Sequence, residues 1–244
     1  MISINLVRNT VMSLLNKNNR GYIDPDSFNL FSNMAQMAIF EDYFTDYNAS
    51  LNRQNKRLVN TEYADLSKKT REKIDSFSTY STQSNFIYDS PNNLWNYTGT
   101  DLYRTIQISL TNAQGKKIDI EEVLKSEYNY LINSNMTAPT VIYPIYIMVG
   151  DSYRISPVVT TGYYPELLYL RTPKQPKWTY VVNFQGNPVY NASDPNLQDF
   201  EIGSDDFYIL IIKIMQYCGV EIREMDIVSV ASNAEAGLSA KQQQ

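Results

Sequence analysis

The stretch Asp24-Pro25-Asp26-Ser27-Phe28-Asn29-Leu30-Phe31-Ser32-Asn33-Met34-Ala35-Gln36-Met37-Ala38-Ile39-Phe40-Glu41-Asp42-Tyr43-Phe44 carries the strongest periodic signal in the chain. Asp24 is a good N-cap, and Pro25 is tolerated at the first helical position, where its missing N–H has no partner to lose. From there Phe28, Phe31, Met34, Ala35, Ala38, Ile39, Tyr43 and Phe44 recur at three- and four-residue spacing. That spacing predicts one long helix with an apolar stripe, reaching about Arg53. Upstream, Ile4, Val7, Val11, Leu14 and Leu15 mark a short amphipathic helix over residues 2–17, broken at Asn18-Asn19-Arg20-Gly21. Downstream, Tyr63, Leu66, Ile74 and Phe77 mark a third helix over 61–77. Residues 1–78 thus form a helical region.

The pattern changes after residue 78. Tyr103-Arg104-Thr105-Ile106-Gln107-Ile108 alternates with period two, as a strand does. Ile145–Val149 and Ser152–Ile155 flank Gly150-Asp151, and Gly in the first loop position fits a type II′ hairpin. Leu167–Leu170 and Trp178–Val182 read as further strands, with a helix over Glu121–Ile132. Pro173 and Pro176 lack the N–H that a ladder needs, so they stiffen a connection. From Ser204 the pattern is helical again. Asp205 and Asp206 suit a first turn, Phe207, Leu210, Ile211, Ile214, Met215 and Cys218 form the stripe, and Gly219 is the expected stop. A further helix is expected over 223–234, then a mobile polar tail over 237–244. The expected fold class is α+β. A β-rich insertion (79–203) interrupts a helical bundle that residues 204–236 return to complete.

Composition narrows the chemistry. The 244 residues contain no histidine, which removes the commonest general acid–base and metal ligand. Cys218 is the one cysteine, so neither an intrachain disulfide nor a Cys-rich zinc site can form. It falls in an apolar run and reads as a small core residue. The net charge of −5 is poor for general nucleic-acid binding, and Arg53, Lys56 and Arg57 read as a solvated helix end. No run approaches the length of a membrane span, nor does the N-terminus offer a signal peptide, so a soluble, reducing compartment is expected. Asn48, Asn96 and Asn191 begin N-x-S/T triplets that carry little weight without such a signal. The 20 tyrosines have an apolar ring with a polar tip, which suits extensive subunit interfaces.

Candidate sites are few. Asn16–Asp24 echoes an EF-hand loop, but the first and third positions are Asn, the fifth is Arg20 and the twelfth is Ser27. Calcium affinity follows the number of charged oxygens, so the segment reads as a polar helix–helix turn. The acid pairs Asp24/Asp26, Glu41/Asp42, Glu121/Glu122 and Asp205/Asp206 read as helix starts or solvated faces rather than glycosidase pairs. No phosphate-binding Gly motif or nucleophile elbow is present. An aromatic–proline cluster (Tyr143, Pro144, Tyr146, Tyr163, Tyr164, Pro165, Trp178, Tyr180) suits a core plus a contact surface. Tyr163, Tyr164, Pro165, Lys174 and Trp178 are the candidate subunit or partner contacts. No catalytic residue, metal or cofactor is expected.

Several segments resemble structural proteins of crAss-like, short-tailed bacteriophages. They are Arg20–Phe31 with Ala35-Gln36 and Ile39–Phe44, Ala138-Pro139-Thr140 with Tyr143–Tyr146, and Arg171-Thr172-Pro173 with Lys177-Trp178. Asp199-Phe200-Glu201 and Ile214–Glu224 complete the series, so the resemblance covers most of the chain in order. It implies a non-enzymatic ring or collar protein of the virion, present in about a dozen copies below the portal. The implied partners are further copies of the chain, the portal, neighbouring tail rings and DNA that passes without specific binding. The alternative is a tail-side glycan- or receptor-binding module, with Tyr and Trp stacked on sugars. A carboxylate-dependent cell-wall hydrolase is the weakest of the three.

Overall fold

The computed structural model describes residues 1–16, 23–57, 66–81, 85–112, 114–158, 162–222, 232, 233 and 236. The protein is mixed α+β, with five α-helices and ten strands among the described residues. It divides into two compact units, Met1–Ile74 with Pro173–Gln244, and Asp75–Thr172. The second unit is shorter than the expected 79–203 insertion: residues 173–203 group with the first and last helices.

In the first unit, α1 (Ile4–Asn16) buries Ile4, Val7, Val11 and Leu15, while Leu14 is 47% exposed. Its start is capped from far along the chain, where Asp199 Oδ1 accepts the Ile4 N–H at 2.9 Å. Helix α2 (Pro25–Arg57) begins as the sequence predicts, with Asp24 Oδ2 accepting the Asp26 N–H at 3.2 Å. It buries Phe28, Ala35, Ile39, Phe40 and Tyr43 and also two polar side chains, Ser32 and Gln36; Met34 is exposed. Helix α3 (Leu66–Asp75) ends before the expected Phe77, and the expected start over 61–65 lies outside the described residues.

Helix α5 (Phe207–Ile222) packs against α1 and α2. Phe31 stacks on Tyr217 at 6.3 Å, Lys213 Nζ meets Asp42 Oδ2 at 3.0 Å, and Tyr43 reaches Asp206 just before the helix. The contacts advance along α2 as they retreat toward the start of α5, so the two helices run antiparallel. Gly219 does not stop α5. It is buried inside the helix, which continues to Ile222. Ser204 is not an N-cap either: residues 204–206 form a 3-10 turn capped by Gly203, with no side-chain hydrogen bond. The loop at 17–22 and the expected helix and tail after 222 lie outside the described residues, three isolated positions apart.

The second unit is built on an eight-stranded sheet in the order β1-β8-β4-β5-β6-β7-β3-β2. Its strands are β1 (Ser78–Tyr80), β2 (Phe86–Asp89), β3 (Leu94–Tyr97), β4 (Leu102–Asn112), β5 (Lys117–Glu122), β6 (Ile145–Val149), β7 (Ser152–Ser156) and β8 (Tyr163–Arg171). Every neighbouring pair is antiparallel except β5–β6. A parallel pair needs a crossover, and α4 (Lys125–Ile132) supplies it. The expected helix over 121–132 therefore starts four residues late. Lys117-Ile118-Asp119-Ile120 alternates with period two, and this extends through Glu121 and Glu122 into β5. Gly150 has φ 63° between β6 and β7, as the type II′ hairpin requires.

The alternation of β6 divides the core. Ile145 and Ile147 pack under α4 with Tyr128, while Tyr146 joins Phe86, Ile108, Leu110, Tyr153, Leu167 and Tyr169 in another cluster. Rings there meet edge-on or tilted: Tyr97–Tyr169 at 5.6 Å, Tyr146–Tyr153 at 6.1 Å, Phe86–Tyr97 at 5.5 Å. The tyrosine excess was expected at subunit interfaces; a good part of it builds this interior. Three of the buried rings keep their hydroxyls partnered at the rim: Tyr153 with Thr105 at 2.7 Å, Tyr146 to Glu122 at 3.2 Å, Tyr169 to Asp101 at 3.0 Å.

Candidate functional site

Trp178 is the hub of the irregular segment in the first unit. It is not in a strand, because Pro173 and Pro176 precede it and only Lys177 forms a bridge, to Gln198. Its backbone groups find a side chain instead. Asn29 Oδ1 accepts the Trp178 N–H at 2.7 Å, and Asn29 Nδ2 donates to the Trp178 carbonyl at 3.2 Å. Seven residues along α2, on the same face, Gln36 repeats the device. Its Nε2 donates to the Lys174 carbonyl at 2.7 Å and its Oε1 accepts the Glu201 N–H at 3.1 Å. The indole Nε1 donates to Asn5 Oδ1 at 3.1 Å, and the Arg8 guanidinium lies 3.8 Å from the ring centroid.

Tyr180 and Tyr190 stack on the same indole at 5.6 Å and 6.1 Å. They are cross-strand partners at the root of a separate hairpin, β9 (Tyr180–Val182) and β10 (Pro188–Tyr190). The other face of that hairpin is open. Val181 and Val189 pair across it at 57% and 52% exposure, and Phe184 at its tip is fully exposed.

A second exposed apolar group lies in the other unit. Leu124, Met136 and Tyr143 are 67%, 96% and 78% exposed. They border a groove of about 550 Å³ between the end of β5, α4 and the connection to β6, also lined by Glu121, Glu122 and Glu127. The lining contains no Lys or Arg.

The ionisable groups that are buried hold elements together. Tyr43 donates to Asp206 Oδ2 at 2.6 Å, and Lys73 Nζ contacts both Asp206 oxygens at 2.6 and 2.7 Å. Burial, and then the hydrogen bond to Asp206, push the Tyr43 phenol well above its ordinary range. Asp206 therefore ties α2 and α3 to the turn before α5, rather than serving as a solvated helix-start acid. Burial likewise raises the phenols of Tyr128, Tyr146, Tyr153 and Tyr169.

The five candidate contacts are not brought together in one unit. Tyr163, Tyr164 and Pro165 begin β8 and pair with Asn112, Thr111 and Leu110 of β4. Pro165 is buried, and the two tyrosines are half-buried. Lys174 and Trp178 belong to the first unit, where Lys174 is exposed. Trp178 is a correction: at 2% exposure it is an interior pillar and offers no partner a ring face. Compared with protein-family models and with curated proteins, the chain finds no match in either. No helix among the described residues is long and apolar enough to cross a membrane, and none of their His, Cys, Asp and Glu side chains cluster in a group that could hold a metal ion.

Residues that sequence reasoning missed are Asn29, Gln36, Lys73 and Phe184. For Gln36 a signal exists, since it falls on the apolar face of α2 between Ala35 and Ile39. A polar residue at such a position requires a buried partner. Phe184 is also legible in retrospect: it is the first loop residue of Asn183-Phe184-Gln185-Gly186-Asn187, with strand-like residues on both sides.

Proposed function

We propose that the chain is a non-catalytic structural protein of a bacteriophage particle, a subunit of an oligomeric ring in the portal-proximal collar. Through such a ring DNA passes between head and tail. The observation that supports this best is where the apolar side chains stand. Phe184, Val181 and Val189 project from one hairpin, while Leu124, Met136 and Tyr143 border one groove. Grouped exposure of large apolar side chains is what an assembly contact uses. The interior ionisable groups, by contrast, join one element to another.

The resemblance of the segments beginning with Arg20–Phe31 and ending with Ile214–Glu224 to ring proteins of crAss-like phages supplies the location, the portal and tail-ring partners, and about a dozen copies. In this reading α5 returns to the N-terminal helices to complete a helical bundle, with the sheet unit inserted. A net charge of −5 suits a wall that does not hold passing DNA. Mass spectrometry of purified virions tests the assignment: the chain is expected in stoichiometric amount with the portal, and its absence sinks the proposal. Native mass spectrometry with the portal then reads the copy number.

A further inference from the structure

The tip of the β9–β10 hairpin is a fixed shape. The Asn183 N–H donates to the Asn187 carbonyl and the Gly186 N–H to the Asn183 carbonyl, both at 3.0 Å. Gly186 takes φ 82°, the left-handed position that a three-residue hairpin loop requires. Asn183 Oδ1 also accepts the Gln185 and Asn187 N–H groups at 3.0 and 2.9 Å. With its oxygen thus engaged, the Asn183 amide keeps its N–H donors for other partners. Phe184 is carried outward on this closed loop at full exposure. No charged residue occurs from Trp178 to Ser193. A two-stranded hairpin alone is marginal in water, and this one is anchored at its root by the stack on Trp178. The chain therefore presents a preorganised apolar knob flanked by the amides of Asn183 and Asn187, at low cost in ordering on contact.

The β5–α4 groove has the matching chemistry. Its lips are Leu124, Met136 and Tyr143, and Met adapts to the shape of what it receives. Its charged groups are the carboxylates of Glu121, Glu122 and Glu127, which accept and do not donate, beside the hydroxyls of Thr137, Thr140 and Tyr143. An acidic occupant meets repulsion there, whereas an uncharged one carrying amide donors does not. We propose that the hairpin of one copy seats Phe184 in the β5–α4 groove of a second copy, its flanking amides donating to the groove carboxylates. The contact joins two different patches, so it is heterologous, the kind that builds a ring when its rotation closes. It deepens the reading of the chain as an assembly part and rests on it.

Cysteine trapping tests the contact directly. Full-length copies carrying Gln185→Cys are mixed with copies carrying Thr137→Cys and mildly oxidised, and the products are mapped by mass spectrometry. Both positions are exposed, and native Cys218 is buried, so it does not compete. Because the two cysteines sit on different copies, any bond between them is intermolecular. A 185–137 crosslink is expected, and it is expected to be lost when Phe184→Asp is added to the first copy. Circular dichroism of each variant confirms the fold. Crosslinks confined to 185–185 pairs, no crosslink, or a 185–137 crosslink indifferent to Phe184→Asp each overturn the proposal. Virion composition separates the two readings: a chain found in particles but lacking this crosslink retains the ring and loses the hairpin contact.

Discussion

The side-chain amide of Gln36 donates to the backbone carbonyl of Lys174 at 2.7 Å, across 138 positions of sequence. Its oxygen accepts the Glu201 N–H, so one fully buried side chain completes two segments that lack a strand partner. The Lys174 N–H is taken by Glu201 Oε2 at 2.9 Å, which closes a small network. Prolines 173 and 176 prevent a ladder in this stretch, and helix α2 supplies what the ladder would have given.

Replacing Gln36 with Leu keeps the volume and removes both bonds. The Lys174 carbonyl and the Glu201 N–H are then left without that partner near a dry helix face. A loss of about 2–4 kcal/mol is expected, since an unsatisfied buried group costs more than the bond it lost. Urea unfolding followed by circular dichroism measures it. A change within about 0.5 kcal/mol contradicts the role assigned to Gln36.

Lys73 and Asp206 form the second long-range tie. The Asp206 side chain is 7% exposed and that of Lys73 25%. Removing one partner strands a carboxylate of low exposure, so Lys73→Met is expected to destabilise by about 2–4 kcal/mol, below the fully buried limit because the lysine is partly solvated. Adding Asp206→Asn recovers part of the loss. A double-mutant cycle with no coupling between the two positions contradicts the assignment.

Much of this fold was legible and part of it was not, for identifiable reasons. Helix α2 declares itself through its cap and stripe, and the Gly150 turn through its glycine. Strand β5 was misread because Glu121-Glu122-Val123-Leu124 is ordinary helix composition, and only the alternation before it tips the balance. Trp178 looked like a contact residue because strand-like neighbours and prolines surround it. Its burial depends on Asn5, Arg8 and Asn29, which sequence spacing does not place nearby. The exposed knob and groove belong to loops and ends of elements, where periodicity says little.

The raised phenols predict the alkaline limit of the fold. Burial, and then Asp206, raise the Tyr43 value in the folded state above the ordinary value of 10.0 that applies when unfolded. Below that value both states hold the proton and the contribution is intact. Above it the unfolded state releases the proton first, binds fewer protons than the folded state, and is favoured as pH rises. Stability is therefore expected to fall from about pH 10 upward. Phenolate absorbance of Tyr43, Tyr146 and Tyr169 is expected to appear together with the loss of far-UV circular dichroism. In Tyr43→Phe the first unit loses part of that alkaline sensitivity. Ionisation of all tyrosines before any unfolding contradicts this reading.

Trp178 and Phe184 stand six residues apart with opposite surroundings, 2% and 113% exposed. Truncating the first removes the ring on which Arg8, Tyr180 and Tyr190 stack and leaves a cavity, so Trp178→Ala is expected to cost about 3–5 kcal/mol. Truncating the second removes nothing that the chain itself uses, and Phe184→Ser is expected to stay within about 0.5 kcal/mol of the parent. The same pair discriminates a sugar-binding role. A stacking platform needs an open ring face, and that of Trp178 is occupied. A reproducible glycan-array signal lost on Trp178→Phe, with stability retained, would show that the indole is reached from outside and that the stack opens. A silent array, with Phe184→Ser neutral for folding but defective in particle assembly, is the outcome expected of a chain whose exposed aromatic serves a protein contact.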